Sequence, residues 1–552
     1  MMIHKKTDAE THEVFNQPSP LEGYNAYTSD NTLQHYVNIF GGGWGKEILR
    51  DYGHLTGNEL QQAGFDANRC KPEFQSHDRF GHRIDLVKYH PAYHQLMKAA
   101  IEARHHSLPW IDERAGAHVV RAGIEYLHTQ ADPGSGCPLT MTFASVPVIS
   151  QEAEIAKTWL PRITANQYDP SNIPFYEKPG LTIGMAMTEK QGGSDVRANT
   201  TYAYPLDTPG PGKEYELVGH KWFCSAPMCD AFLVLANTDK GLTCFLLPRW
   251  KPDGSKNAMH IQRIKNKMGN VSNASSEVEY KGAFSWMIGE EGRGIGTILK
   301  MVALTRFDCM VGSSAIMRQA TAQAIHHTGE RQAFGRNLHE QPLMQNVLAD
   351  LALESEAALA ISMRLAYTLD MRDEYEKSLF RIGAAIGKYW ICKRAAQLTY
   401  EAMESIGGVA VVEDNVLARL YRESPINAIW EGSGNIQCLD VSRVMRKQPT
   451  VIDVFILELE KAAGHIAQFD STLNKLKDEL MKDLEMEHLL RRLVEKMALL
   501  WQASTLIQYS EPTIADAFVS SRLSGDCGHM YGTLPITNFR EIITRSKLKL
   551  EK

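Results

Sequence analysis

The spacing of apolar positions along the chain changes twice, from helical to alternating and back to helical. Between about 44 and 180, apolar residues recur at helix spacing and are broken by turn residues. Residues 91–108, "PAYHQLMKAAIEARHHSL", show this, with Pro91 suited to a first helical turn. "CPLTMTFASVPVIS" (137–150) is too apolar for a surface loop and is expected to line the interior. From about 181 the runs become short and β-rich: "YELVGHKWFCSA", "AFLVLANT", "GLTCFLLPRW", "MHIQRI" and "SSEVEYKGAFSWMIG", separated by Gly, Pro, Asp and Asn. They predict a small all-β domain, a barrel or sandwich, closing near 290. Helical spacing then returns in three long segments, starting at 297, 342 and 378, apolar over an arc wide enough to pack as a bundle. The third ends at Gly407-Gly408, read as a left-handed helix stop.

Before and after these blocks the pattern weakens. Residues 1–40 are polar and irregular and read as an extended arm or a loosely packed cap. A further helical block follows 447 and contains "LNKLKDELMKDLEMEHLLRRLVEKMALLWQAS". The expected fold class is α+β multidomain: an arm (1–43), an N-terminal helical domain (44–180), a β domain (181–292), a C-terminal four-helix bundle (293–447) and an extra helical domain (448–552).

Composition narrows the function classes. With 43% hydrophobic and 22% charged residues the chain can bury a large core, and its net charge of −6 argues against whole-surface affinity for phosphate polymers. Residues 446–552 carry 15 Lys/Arg and 15 Asp/Glu, so this block is near neutral; only its end, "FREIITRSKLKLEK", leans basic. Nine scattered cysteines without a CxxC fit thiols in a reducing compartment better than a disulfide framework or a zinc site. There is no apolar signal core and no apolar run of 18 residues, so the expectation is a cytoplasmic protein with no membrane insertion and no metal.

The sequence holds no GxxxxGK[ST] and no HExxH, and "GEEGRGIG" follows an irregular apolar run rather than opening a dinucleotide-binding unit. Adjacent histidines at 105–106 and 326–327 point apart on a helix and read as packing or surface residues. "MAMTEKQGGSDVRANT" (185–200) combines hydroxyls with glycine-freed backbone that can approach a flat or anionic ligand; alone, it reads as an ordinary Gly-Ser turn between domains. Trp222, on "GHKWFCSA", is either core or the wall of an aromatic pocket. Arg331, in "GERQAFGR", is a surface charge or a pyrophosphate grip. Glu431, in "NAIWEGSGNIQCLD", sits between Trp430 and a Gly-Ser-Gly turn ahead of a helical pattern, and is either a poised base or a solvated turn residue.

Taken together and in this order, "TEKQGGSD", "GHKWFCSA", "RQAFG", "ESIGGVAVVED" and "WEGSGNIQ" resemble the acyl-CoA dehydrogenase flavoprotein family from about 80 to 445. "HEVFNQPSPLEGYNAY", "CPLTMTFA", "TRFDCMVGS" and the extra C-terminal block are similar to its AidB-type, alkylation-response branch. The resemblance implies FAD as cofactor and α,β-dehydrogenation of an acyl-CoA thioester, with Glu431 as the base that removes the α-proton. Some relatives carry the base on a bundle helix just before an Arg; here that position is Thr305, which has no carboxylate.

The resemblance also implies that Met185, Thr188 and Ser194 face the flavin ring and pyrophosphate, and that Trp222 and Ser225 cover one flavin face. Arg331 and Phe334 would reach the FAD of a neighbouring subunit in a dimer or dimer of dimers. Gly407 and Gly408 would let backbone approach the diphosphate, and Ser433 and Asn435 would contact the adenine side. Pro342, Glu404 and Glu423 depart from the family pattern of Gln, Gln and Asp. Further implied partners are an electron-transfer flavoprotein and double-stranded DNA, the latter through the C-terminal domain. Two alternatives accompany this reading: an AidB-type DNA-binding flavoprotein with incidental dehydrogenase activity, and an acyl-CoA binder without turnover.

Overall fold

The computed structural model describes residues 12–480 and 487–550. The first eleven residues of the expected arm, residues 481–486 of the expected C-terminal helical run and the last two of the basic tail lie outside the described residues.

The N-terminal part is helical: α1 (Asn31–Ile39), α2 (Lys46–Thr56), α3 (Glu59–Arg69), α4 (Pro91–Glu102), α5 (Leu108–Ile111), α6 (Ala117–Ala131), α7 (Pro133–Ile149) and α8 (Ala153–Ile163). The expectation of a loose arm is corrected for residues 24–40. Asn25 Oδ1 accepts from Tyr27 N and Thr28 N, and Asp30 caps α1 through Thr32 N and Leu33 N, so the polar residues build a turn and a helix start. The turn delivers Tyr24, Tyr27, Leu33, Tyr36, Val37 and Phe40 into the main core. The sequence also missed a hairpin, β1 (Glu73–His77) with β2 (Arg83–Lys88), whose tip is closed by Asp78 Oδ1 accepting from Phe80 N and His82 N. The apolar stretch 137–150 lies within α7 up to Ile149, with Ser150 as its C-cap; the helix buries nearly all of its surface and carries prolines at 138 and 147.

The middle of the chain forms β3 (Ile183–Ala186), β4 (Tyr202–Pro205), β5 (Glu214–Ser225), β6 (Ala231–Thr238), β7 (Gly241–Pro248), β8 (Met259–Ile264) and β9 (Ser275–Ile288). Pairing runs β6–β4–β5–β9–β7 and returns to β6, so these five strands close a small barrel; β3 adds to β6 in parallel and β8 adds to β9. All five predicted strand segments are present, and closure leaves few bare edges.

The bundle is built from α9 (Gly294–Glu330), α10 (Pro342–Asp370) and α11 (Glu374–Ile406), followed by α12 (Val416–Glu423), α13 (Ile426–Ile429) and α14 (Gly434–Lys447). Gly407 ends α11 with φ 88 and ψ −155, a glycine-only extended conformation rather than the expected left-handed helical one. The extra block is helical as expected: α15 (Pro449–Glu460), α16 (Ala467–Leu480), α17 (Leu490–Tyr509), α18 (Pro512–Arg522) and α19 (Phe539–Ser546). It is locked onto the bundle by charge. On α10, Asp350 and Glu354 hold Arg522, Glu356 takes Arg545 at 2.9 Å, and Arg364 pairs with Glu458 at 2.7 Å. Arg545, part of the basic tail, is therefore turned inward, and the surface carries one cation fewer than the sequence suggests.

Among the described residues no helix is long and apolar enough to cross a membrane. No group of three His, Cys, Asp or Glu side chains among them is placed to hold a metal ion, and all nine cysteines are unpaired.

Candidate active site

Glu431 lies in the short loop between α13 and α14, with φ at 56°, a region that non-glycine residues adopt at a cost of about 1–3 kcal/mol. Its surroundings hold it there. The ammonium of Lys388, on α11 and almost fully buried, donates to the carbonyls of Asn427, Trp430 and Gly432 at 2.8–2.9 Å. Arg306 Nε and Gln437 Nε2 donate to the Glu431 carbonyl at 3.1 and 3.2 Å. Arg306 is fixed in turn by Asp440, which Arg381 also grips. The Trp430 indole donates to Asn427 Oδ1, and Asn427 Nδ2 donates to Cys309 O and Ser313 Oγ.

This frame leaves the polar atoms of Glu431 disposed in a defined way. Thr305 Oγ1, on α9, donates to Glu431 Oε2 at 2.8 Å. Oε1 and the Glu431 N–H have no hydrogen-bond partner among the described residues. The chain thus presents one carboxylate oxygen and one backbone donor side by side. Thr305 and Glu431 converge on the same spot, so the two positions between which the sequence had to choose are neighbours.

The barrel supplies the facing wall. Met185 is buried on β3 and Thr188 follows it; a Cβ at Gly193 would stand 2.6 Å from Thr188 Oγ1, so the tight return of this loop requires glycine. Ser194 is exposed on that loop. Thr188 O accepts from Trp222 N at 2.8 Å, which joins the two motifs through the backbone. A second link is buried: Lys221 Nζ donates to Glu189 Oε1 at 2.7 Å. Burial raises the Glu189 carboxyl, but Lys221 and the Thr200 and Thr201 donors outweigh it and hold it at about 2. Burial pulls Lys221 down to about 8 against the attraction of Glu189. Both groups therefore stay charged at neutral pH, and their pairing fixes the base of the loop.

A bulge between Lys221 and Cys224 turns two consecutive aromatics away from the barrel core. Trp222 is half-buried under the Lys265 ammonium, 3.6 Å from the ring centroid. Its neighbour Phe223, which the sequence did not single out, is 46% exposed. Ser225 closes β5, its hydroxyl 2.8 Å from that of Ser275.

The two walls meet around Cys137 at the start of α7. Its thiol is pushed up to about 12, chiefly by burial; the nearby Glu431 carboxylate raises it further and the Lys267 ammonium opposes. The loop 269–275 beneath this wall is tied to the bundle, because Asn270 N donates to both oxygens of Glu423 at 2.7 and 2.8 Å. Glu423, one of the departures from the family pattern, keeps a contact between the two parts. Burial, with Asp132 adding, pushes its carboxyl up to about 7. A raised carboxyl favours the protonated folded state, so its stabilising contribution is complete below the ordinary 4.5 and is lost as pH climbs through 7. Glu423→Gln, which cannot ionise, should therefore gain in Tm on the wild type as pH rises from about 5 to 8. Thermal unfolding at both pH values checks this, and a constant difference contradicts it.

The remaining sequence candidates divide into two groups. Ser433 caps α14 without a side-chain hydrogen bond and Asn435 is exposed in the first turn, so both adjoin Glu431. Arg331, Phe334, Gly407 and Gly408 do not. Arg306 on α9 and Lys388 on α11 bond the Glu431 loop; Arg331 lies 25 residues, roughly 37 Å, and Gly407 19 residues, roughly 28 Å, further along those helices. Arg331 Nη1 donates to Asn16 O of the N-terminal segment, and Phe334 is 95% exposed on the hairpin that follows α9. A single chain does not bring these four to the Glu431 site.

Comparison with known proteins agrees with this architecture. Family models match residues 16–170 (Adaptive response protein AidB N-terminal domain), 184–283 (Acyl-CoA dehydrogenase, middle domain) and 292–446 (Acyl-CoA dehydrogenase, C-terminal domain). The "Putative acyl-CoA dehydrogenase AidB" of Escherichia coli (strain K12) is 44% identical over 513 residues, 92% of this chain and 94% of that protein. The solved structure "Bd2924 apo-form" superposes with a TM-score of 0.83 at 26% identity, covering 90% of this chain and all of that one. Caenorhabditis elegans ACDH-11 in complex with C11-CoA has the same fold, with a TM-score of 0.83 at 23% identity over 94% of this chain and 93% of that one.

Proposed function

The chain belongs to the acyl-CoA dehydrogenase family, within its AidB-like branch, and from that premise we propose that it is an FAD-dependent enzyme that dehydrogenates an acyl-CoA thioester with Glu431 as base. The observation that carries this reading is the Glu431 loop, in which one carboxylate oxygen is held by Thr305 and the other is free.

The residues fit the cofactor. Would-be Cβ atoms at Gly192, Gly407 and Gly408 meet nothing within 4 Å, so backbone is open to a diphosphate at each. The N-terminus of α14, with no side-chain cap, is an anion site by its own dipole, and Ser433 and Asn435 flank it. Met185, Thr188, Ser194, Trp222 and Ser225 would hold the ring and its near phosphate on the barrel side. Bound FAD supplies the acceptor for the β-hydride.

The rest is done by the chain. Glu431 Oε1 takes the α-proton of the thioester, while Thr305 orients the carboxylate through Oε2 and prevents its rotation. The unpartnered Glu431 N–H donates to the thioester oxygen as negative charge develops there. Because φ at Glu431 is positive, this N–H and the side chain are presented together, which gives the backbone strain a purpose. Arg331, Phe334, Gly407 and Gly408 act across a subunit boundary in a homodimer or dimer of dimers. Their distance from Glu431 supports this, as does the exposure of Phe334 and Leu343 at 95% and 85%. We take the electron acceptor to be a carrier flavoprotein. Anaerobic mixing of the yellow enzyme with a panel of acyl-CoAs should bleach the flavin absorbance for at least one chain length. Unchanged absorbance with every member would overturn the reading.

A further inference from the structure

Behind Ser225 stands a partly buried cation that the reaction outlined above does not use. Lys267, in the loop before β9, donates to Asn270 Oδ1 at 3.4 Å, to Asn273 O at 2.8 Å and to Ser275 Oγ at 2.9 Å. Three N–H donors thus meet three neutral acceptors, and no carboxylate among the described residues pairs with it. Burial pulls the ammonium down to about 8, opposed by Cys137 and Glu423. Partial burial of a cation beside neutral acceptors alone has a desolvation cost, and the charge is available to act through the groups it bonds.

The hydrogen-bond chain indicates what that is. An ammonium only donates, so Ser275 Oγ must accept from Lys267. Ser275 is buried, and its own hydroxyl hydrogen finds one acceptor among the described residues, Ser225 Oγ at 2.8 Å. The reverse polarity would leave a buried donor unmade, at a cost of about 1–3 kcal/mol. The direction is therefore Lys267 to Ser275 to Ser225, which leaves the half-buried Ser225 hydroxyl to donate outward from the barrel wall.

We propose that Lys267 is a positioning residue that, through Ser275, fixes Ser225 as a hydrogen-bond donor to an acceptor atom of the flavin ring and stabilises the ring's electron-rich reduced state. This rests on the FAD reading above and deepens it. Lys267 touches neither substrate nor cofactor; it sets the polarity and charge of the residue that does. The charge and the relay can be removed separately. Lys267→Gln retains a donor but loses the cation, whereas Ser275→Ala retains the cation but cuts the chain.

The test is the flavin midpoint potential of FAD-loaded full-length protein, measured by anaerobic dye-coupled reduction, with bound FAD quantified from the visible spectrum. Lys267→Gln and Ser275→Ala should each bind FAD as the wild type does. Each should shift the reduced-to-oxidised ratio at fixed potential about tenfold toward oxidised, roughly 30 mV for a two-electron couple. The double variant should shift no further than Ser275→Ala alone, because the Lys267 charge reaches Ser225 through Ser275. Ser225→Ala, made on the exposed side of the wall, covers the case in which either buried variant fails to fold and should produce the same shift. A wild-type potential in the folded variants overturns the inference alone, since the FAD reading stands. A wild type that takes up no FAD overturns that reading and the inference with it.

Discussion

Glu431→Gln is expected to slow flavin bleaching by an acyl-CoA by about a thousandfold while leaving bound FAD unchanged. The substitution keeps the size of the side chain and an oxygen for Thr305 Oγ1 to donate to at 2.8 Å. Lys388, Arg306 and Gln437 hold the loop through backbone carbonyls, which the change does not touch. What disappears is the basic oxygen, so the loss belongs to the proton-transfer step and not to binding. The geometry adds a rescue. Because the Thr305 side chain already reaches the Glu431 carboxylate, Thr305→Glu in the Glu431→Gln background places a base within about one side-chain length of the original and should return part of the lost rate. Stopped-flow reduction of the three proteins checks both points. A Glu431→Gln enzyme as fast as the wild type, or one that has lost its FAD, contradicts the assignment.

Lys388→Met should have the second largest effect, and it acts on the frame rather than on the chemistry. Removal of the ammonium leaves the partly buried carbonyls of Asn427, Trp430 and Gly432 without their shared donor. The Gly432 carbonyl keeps Gln437 Nε2 at 2.8 Å, so two groups are left unmade, and at about 1–3 kcal/mol each a loss of at least about 2 kcal/mol is expected. The positive φ of Glu431 then has no compensating hold and the loop relaxes toward an ordinary turn. Urea unfolding should therefore move to lower denaturant, and the bleaching rate should fall in the fraction that remains folded. Lys388→Arg does not restore either property fully, because a planar guanidinium does not match three carbonyls converging on one point. Wild-type stability in Lys388→Met contradicts this account of the loop.

The sequence made the barrel strands and the three long helices legible because each carries one unbroken period over many residues. It concealed α1, where Asn25 and Asp30 look like loop residues and are in fact the turn and cap that start a buried helix. It concealed β1 and β2 because both are largely half-buried and lack a clean apolar face. The loops that carry Glu431 and the barrel motifs stand out in the sequence from their order along the chain. An isolated lysine in "GAAIGKYWIC" was a visible hint of Lys388. The Arg306–Asp440 pair spans 134 residues and leaves no local pattern. Phe223 was overlooked beside Trp222 because only the bulge, which pairing creates, turns both rings outward.

The central claim is that Glu431 takes the α-proton, and isotope exchange at that carbon measures it most directly. The FAD-loaded enzyme is incubated anaerobically in D2O with an acyl-CoA that bleaches its flavin, and deuterium at the α-carbon of recovered thioester is read by mass spectrometry. The account predicts deuterium incorporation by the wild type and by Lys267→Gln, and none above the uncatalysed level by Glu431→Gln. Equal incorporation by the wild type and Glu431→Gln would contradict it.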